Sequence, residues 1–440
     1  MKKIIIGVFV FLGIAALAVP FGCGLVMERV VRDTFSNLNA MYAKSGHDIS
    51  AEIVRYDRGY SSSEIEWKIK FGRLKALYGV DEVVFIDRAE HGMSGIVSNT
   101  SLEKNPWYTD FVKNQLAGKD PLHITTTYKF AGGLDIGVAV DAFAIQAKNR
   151  TFAVKPGKVA VTCDKEFKKF TSEASWEGME VAELFSIGGA SLKSALTMIS
   201  PYIWDGNVSM ALQNTQIYEE GEKFDLANMK VDYVLSYDKE HSTLSAKAEY
   251  GADSLSVGPD MISKIFARIG ITGVDANGYE EFMKLYTATM SAILGDVTAA
   301  KDDPEKVKQI LEKKMAMVGF QMVAAGEKLL TKDLQLQISD LHLQLPDGEI
   351  TGDATISLKK DMTFAQFIPV VSQPALVLEI LSLKSNVSLP EKLVGDAPML
   401  FAPIYPGMQT GLFVKNGASV LHKAETKDGK LFLNDKELVL

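Results

Sequence analysis

The sequence predicts an α+β chain: an N-terminal transmembrane helix, then extended, curved antiparallel β-sheets with inserted amphipathic helices. Three observations predict it: an uncharged apolar run at the N-terminus, long series of residues alternating apolar and polar, and two stretches of helical apolar spacing grouped between those series. With 440 residues the chain exceeds one ordinary core, so two or more packed units are expected.

The N-terminal element comes first. Lys2 and Lys3 precede an uncharged run from Ile4 to Val26. As a helix that run spans about 35 Å, enough to cross a hydrocarbon core. The positive-inside rule then puts both lysines in the cytoplasm and everything after Met27 on the far side. Ala16-Leu17-Ala18 has the small-x-small pattern of a cleavage site, but the apolar run continues to Val26 and cleavage would leave a greasy stub. A lipidation site at Cys23 would want an aliphatic residue where Pro20 stands. An uncleaved signal-anchor over residues 1–27 is therefore the expectation.

From Glu28 to Lys44, Val31, Phe35, Leu38, Met41 and Tyr42 recur at helical spacing before Gly46, which predicts a short amphipathic helix packed on the following domain. Strand signals then dominate residues 28–258. Ile65, Trp67, Ile69 and Phe71 alternate with charged residues, and similar alternation recurs in Ile124–Phe130. Met229–Tyr237, the turn residues Asp238–Ser242, and Leu244, Ala246, Ala248 and Tyr250 predict a hairpin. The region 259–440 is read as a helical insert followed by C-terminal strands and a closing hairpin. Asn277 is the expected cap of the first inserted helix, and Asp303-Pro304 opens the second. Between Leu334 and Leu345 the apolar positions switch from even to odd. A slip of one residue would turn every later side chain to the wrong face, so a β-bulge is predicted at Ser339-Asp340. A third helical stretch is expected from Glu391 towards Leu412, broken by prolines, and the chain closes on a hairpin turned at Asp428-Gly429.

Composition narrows function. Charged residues at 23% and hydrophobic ones at 47% are globular values. The net charge of −8 comes without a basic block, which argues against nucleic acid as a partner. Cys23 and Cys163 lie in different regions, so no disulfide is expected inside the soluble part. No metalloprotease, phosphate-loop, dinucleotide or nucleophile-elbow motif is present; His91-Gly92-Met93-Ser94-Gly95 lacks the spacing of the last of these. The six histidines have no partners at metal-ligand spacing. No catalytic residue, cofactor or metal is expected, and the chain is not read as an enzyme. Seventeen methionines are unusual, several of them in the helical insert. Core filling is the plainer reading of these residues. A groove for an apolar ligand, lined by Met315, Val318 and Met322, is the functional one.

The stretch Tyr56-Asp57-Arg58-Gly59-Tyr60-Ser61-Ser62-Ser63 resembles the Y-x-R-G-x-x-S-S entry of the YdgA-like family of bacterial envelope proteins, a domain of unknown function. His91-Gly92 is similar to its H-G step, and Asp428-Gly429 through Asn434 to its closing hairpin. Met93 and Asp435 depart from the pattern, where proline and glycine are usual. The resemblance implies a single-pass inner-membrane protein with a periplasmic domain, and it brings no activity. Physically the motif residues read as structural: Gly59 for a backbone angle or a close approach that a side chain would forbid, Arg58 as a partner for a carbonyl or carboxylate, Ser62 and Ser63 for turn bonds. The expected function is an envelope-facing protein that holds a lipid or other apolar ligand between sheet and helices. The alternative is a structural or interaction module that docks other envelope proteins.

Overall fold

The protein is described by a computed structural model covering Gly24 to Leu438, apart from residues 45–47, 72–79, 93–94, 148–149, 220–221, 259, 300–302, 367–373, 394–406 and 409. Among the described residues antiparallel sheet dominates, as the alternation predicted. Two compact units divide the chain. The first comprises Met1–Ala182, Ser191–Tyr202 and Thr287–Leu311; the second comprises Glu183–Ala190, Ile203–Tyr286 and Glu312–Leu440.

In the first unit, helix α1 (residues 24–44) precedes strands β1 (Ser50–Arg58), β2 (Ser62–Lys70), β3 (Glu82–His91), β4 (Gly95–Ser101), β5 (Leu122–Lys129) and β6 (Leu134–Val140). Each pairs antiparallel with the next. Strands β7 (Phe143–Ala147) and β8 (Arg150–Val154) form a hairpin extended by β11 (Met179–Val181). The main ladder continues from β6 to β9 (Gly157–Cys163) and β10 (Lys169–Trp176), which β13 (Ala190–Ser200) joins. Helix α2 (Pro106–Gln115), between β4 and β5, has no counterpart in the sequence reading. It begins at a proline, and the Asn105 side chain before it is buried, bonding the backbone of Val84 rather than capping the helix.

Period-two alternation puts Ile65, Ala89, Ile96, Tyr128, Leu134 and Cys163 on one face of this ladder, all buried. Met27, Val31 and Phe35 of α1 lie against them, with Leu38 and Met41 at the margin. Burying each of the larger apolar side chains contributes about 1.5–3 kcal/mol, which is why the amphipathic stripe docks instead of forming a free stalk.

The expected transmembrane helix is corrected here. Among the described residues no helix is long and apolar enough to cross a membrane. Most of the expected anchor, Ile4 to Val26, lies outside the described residues, and its last three residues lie in α1. That helix carries Glu28, Arg29, Arg32 and Asp33 within two turns and buries its apolar stripe in the protein, so it is a surface helix of the domain. The single-pass inner-membrane location, with the domain on the periplasmic side, falls with the helix on which it rested.

In the second unit, β14 (Ile203–Leu212), β17 (Met229–Asp238), β18 (Thr243–Val257), β19 (Asp260–Asp275), β20 (Gln335–Leu345), β21 (Gly348–Leu358), β22 (Leu381–Pro390), β24 (Ser419–Lys427), β25 (Lys430–Leu433) and β26 (Lys436–Leu438) pair in that order, antiparallel throughout. Strand β16 (Glu222–Ala227) also pairs with β18, carrying β15 (Thr215–Glu219) and β12 (Phe185–Ile187), and β23 (Val414–Asn416) pairs with β24.

The predicted β17–β18 hairpin forms, its turn held by Asp238, whose carboxylate accepts from the backbone N–H groups of Glu240 and His241. The predicted bulge is also present: between Ile338 and Leu341 the register shifts against β21, leaving Ser339-Asp340 unpaired there. Helices α3 (Ala276–Ala299) and α4 (Pro304–Glu327) form the insert. Asp303 caps α4 through the N–H of Lys306, as expected. The cap of α3 is Asp275, which accepts from the N–H of Gly278, rather than Asn277. Asn277 sits inside the helix because the strand runs directly into it. The stretch expected to be helical from Glu391 to Leu412 lies largely outside the described residues, whereas the short α5 (Pro374–Ile380) was not anticipated.

Candidate functional site

The motif residues of the first unit converge on Gly24, Glu28 and Arg32 of α1. Arg58, at the end of β1, pairs with Glu28 at 2.9 Å, and Glu28 also binds Arg32 one turn on. Gly59 donates its N–H to the Ser62 carbonyl at 2.7 Å, and a Cβ there would stand 3.1 Å from that oxygen. Close approach, not an unusual backbone angle, is what glycine supplies at this turn. Ser62 itself is exposed, while Ser63 is buried and bonds His91 Nε2 at 2.7 Å. The His91 ring lies against Gly24, where a Cβ would come within 2.4 Å of it. Gly92 donates to the Gly95 carbonyl, and Met93 lies outside the described residues. Tyr56 is half-buried under the Arg32 guanidinium, and burial pushes its phenol pKa up.

Next to this motif, β3 carries a residue that sequence reasoning missed. Asp87 is fully buried on the α1 side of the sheet. Thr100 donates to its Oδ1 at 2.6 Å and Tyr128 to its Oδ2 at 3.1 Å. The Trp67 N–H and Ser98 hydroxyl also turn toward this carboxyl but stop short of hydrogen-bond geometry. Burial raises the Asp87 pKa, and the hydroxyl donors offset only part of that rise. Tyr128, buried beside it, is raised by burial and then by the carboxyl. The one signal in the sequence was an acid at an inward position of β3, opposite Ile65 and Thr100.

At the C-terminus the closing hairpin is held by its turn residues. Asp428 and Gly429 both take positive φ, 52° and 74°, as a primed turn demands. Asn434 and Asp435 do the same at 49° and 64°, so aspartate stands where glycine is usual without losing the turn. The Asn434 side chain donates to the carbonyls of Gly411 and Leu412 and accepts from the N–H of Lys423.

The second unit presents a different surface. Pairing registers line up Tyr233, Ala248, Ile269, Ile338, Ala354 and Ser385 in one row across β17 to β22. The next row on the same face is Leu235, Ala246, Ile271, Leu336, Ile356 and Leu383. Ile269, Leu336, Ile338 and Ile356 are 45%, 53%, 37% and 42% exposed, unusual for β-branched and leucine side chains in neighbouring strands. Two small cores bound this open strip. On one side Leu358 and Ile380 pack with Leu334 and Leu381; on the other, Ile350, Leu389 and Val420 lie under Met408 and Phe413. At the second border the Ser385 hydroxyl meets His422 Nε2 at 2.9 Å, and His422 Nδ1 meets the Leu412 carbonyl at 2.9 Å.

The opposite face is polar. At the bulge it holds an open groove of about 420 Å³ whose lining includes Asp340, His342, Thr351, Asp353, Asn386 and Ser388. Asn386 donates to Asp353, and His342 pairs with Glu349, so these groups satisfy one another. Among the described residues no three His, Cys, Asp or Glu side chains gather as a metal site. Of the expected methionine groove, Met322 is half-buried on α4, and the side chains of Met315 and Val318 lie outside the described residues.

No curated protein matches the chain. The model of one family, described as a bacterial protein of unknown function (DUF945), matches residues 1–440. An antiparallel sheet protein whose match runs from its first residue to its last belongs to that family: the chain is a member of the bacterial DUF945 family of unknown function.

Proposed function

We propose that the protein is a binding protein rather than an enzyme, and that it holds an apolar chain of the acyl type along the open strip of its second unit. The observation that carries this reading is the run of exposed Ile269, Ile338, Leu336 and Ile356 between two closed cores. Two rows spaced two residues apart make a strip about 7 Å wide, and five strands from β18 to β22 make it about 20 Å long. A helix with its side chains is about 10–12 Å across and would ride over both borders. A single extended acyl chain fits between them. The narrower resemblance to the YdgA-like family, carried by Tyr56 to Ser63, His91-Gly92 and the closing hairpin, adds neither an activity nor a ligand of its own.

The test is titration of the purified protein with a fluorescent fatty-acid analogue. Saturable binding is expected, weakened about tenfold or more in Leu336→Gln and Ile356→Gln. Both sites are exposed, so these variants should move stability by no more than about 0.5 kcal/mol. Absence of saturable binding, or binding untouched by both variants, refutes the reading and leaves the docking module in its place.

A further inference from the structure

We infer that the bound amphiphile ends in a hydrogen-bond donor, an alcohol or an undissociated acid, and that Ser385, oriented by His422, recognises it; this rests on the acyl-chain reading above. The Leu412 carbonyl oxygen only accepts, so its 2.9 Å contact with His422 Nδ1 requires a proton on that nitrogen. In the neutral imidazole, Nε2 is then a bare acceptor, and the Ser385 hydroxyl must donate to it across 2.9 Å. The hydroxyl hydrogen is thereby spent, and what Ser385 Oγ offers to anything else is lone pairs.

The position gives this polarity a use. Ser385 stands in the same inward row as Ile269, Ile338 and Ala354, at the border of the strip. Its neighbour across the pair on β24 is Ala424, which is buried, and Ala354 flanks it on β21. A chain lying along Ile338 and Ala354 therefore meets its first polar side chain at Ser385, which is buried to 7% exposure at the edge of the strip. A ligand O–H at that point completes the serine's hydrogen bonding. An ester or ether oxygen would face an oxygen that has no hydrogen left to give, and lone pairs would oppose lone pairs. Phe413 keeps the imidazole in place, its ring 5.5 Å from that of His422.

Displacement of the fluorescent fatty-acid analogue by dodecanol and by dodecyl methyl ether tests this, since the two share a chain and differ in one donor. In the wild type dodecanol should displace the probe at about five- to tenfold lower concentration, the worth of one hydrogen bond made on an apolar surface. In Ser385→Ala, whose side chain matches its row neighbours, the two competitors should become equivalent. Equal potency in the wild type overturns the inference while leaving the acyl-chain reading intact, as does a preference that survives Ser385→Ala. Failure of the analogue to bind at about pH 4, where its carboxyl keeps its proton, overturns both. The wild-type ratio decides by itself if the variant does not fold.

Discussion

Replacing Asp87 by asparagine should flatten the pH dependence of the protein's stability in the acid-to-neutral range. The carboxyl is fully buried and receives two hydroxyl donors, Thr100 at 2.6 Å and Tyr128 at 3.1 Å. Hydrogen bonds to a charged group contribute about 1.5–3 kcal/mol each, so the pair returns roughly 3–6 kcal/mol to the ionised form. Removing a carboxylate from water costs several kcal/mol or more, and the upward pKa shift shows that this cost wins. The folded chain thus holds the Asp87 proton more tightly than the unfolded chain, whose aspartate titrates near 3.9. Where the folded state binds more protons, stability falls as pH rises, here from about pH 4 up to the raised folded value, and then levels. Every tenfold difference in proton affinity between the two states is worth about 1.4 kcal/mol over that window. Asparagine keeps the shape and has no proton to lose. Urea unfolding of wild type and Asp87→Asn, followed by circular dichroism at pH 4, 5, 6 and 7, should show the variant gaining on the wild type as pH rises. Parallel curves over that range, or a variant that gains as pH falls, would refute the reasoning.

Two further perturbations address the motif and the closing hairpin. Arg58→Ala and Glu28→Gln each remove one side of a part-buried ion pair joining β1 to α1, and each should cost about 1–2 kcal/mol; the double variant should cost little more than either single one, and strict additivity in a denaturant cycle would show that the two do not act on each other. Gly429 takes φ 74° with nothing within 4 Å of a Cβ there, so Gly429→Val should lose about 1–2 kcal/mol through backbone strain alone; an unchanged thermal midpoint would mean that the β24–β25 turn is not part of the cooperative fold.

Local chemistry was legible in the sequence where the period of a strand or the residues of a turn decide the outcome; the cap of α3, Asp275 and not Asn277, was not. Alternation identified β2, β5, β17 and β18, because one wet and one buried face leave a period of two in the residues themselves. The Ser339-Asp340 bulge was readable for the same reason, as a change of phase in that period. The α1 stripe announced a buried face, and that face is buried.

Other features depended on which strands became neighbours, and a sequence does not write that down. Asp87 looks like any acid in an alternating run until β2, β4 and β5 bring Trp67, Ser98, Thr100 and Tyr128 around it from positions up to 41 residues away. Ser385 and His422 stand 37 residues apart, and only the pairing of β22 with β24 makes them partners and sets the direction of their hydrogen bond. The open strip is likewise a sum over six strands, each contributing one or two unremarkable apolar residues. The N-terminal run shows the limit from the other side. Hydropathy alone suggested a membrane helix through Val26, but the described part of α1, from Gly24 on, carries charges and core contacts that make it part of the domain. Period and turn chemistry are properties of a few consecutive residues, so the sequence by itself determined the alternating strands, their turns and the bulge, though not the short helices α2 and α5. Burial, proton affinity and exposure are properties of a neighbourhood, and those only the tertiary structure decided.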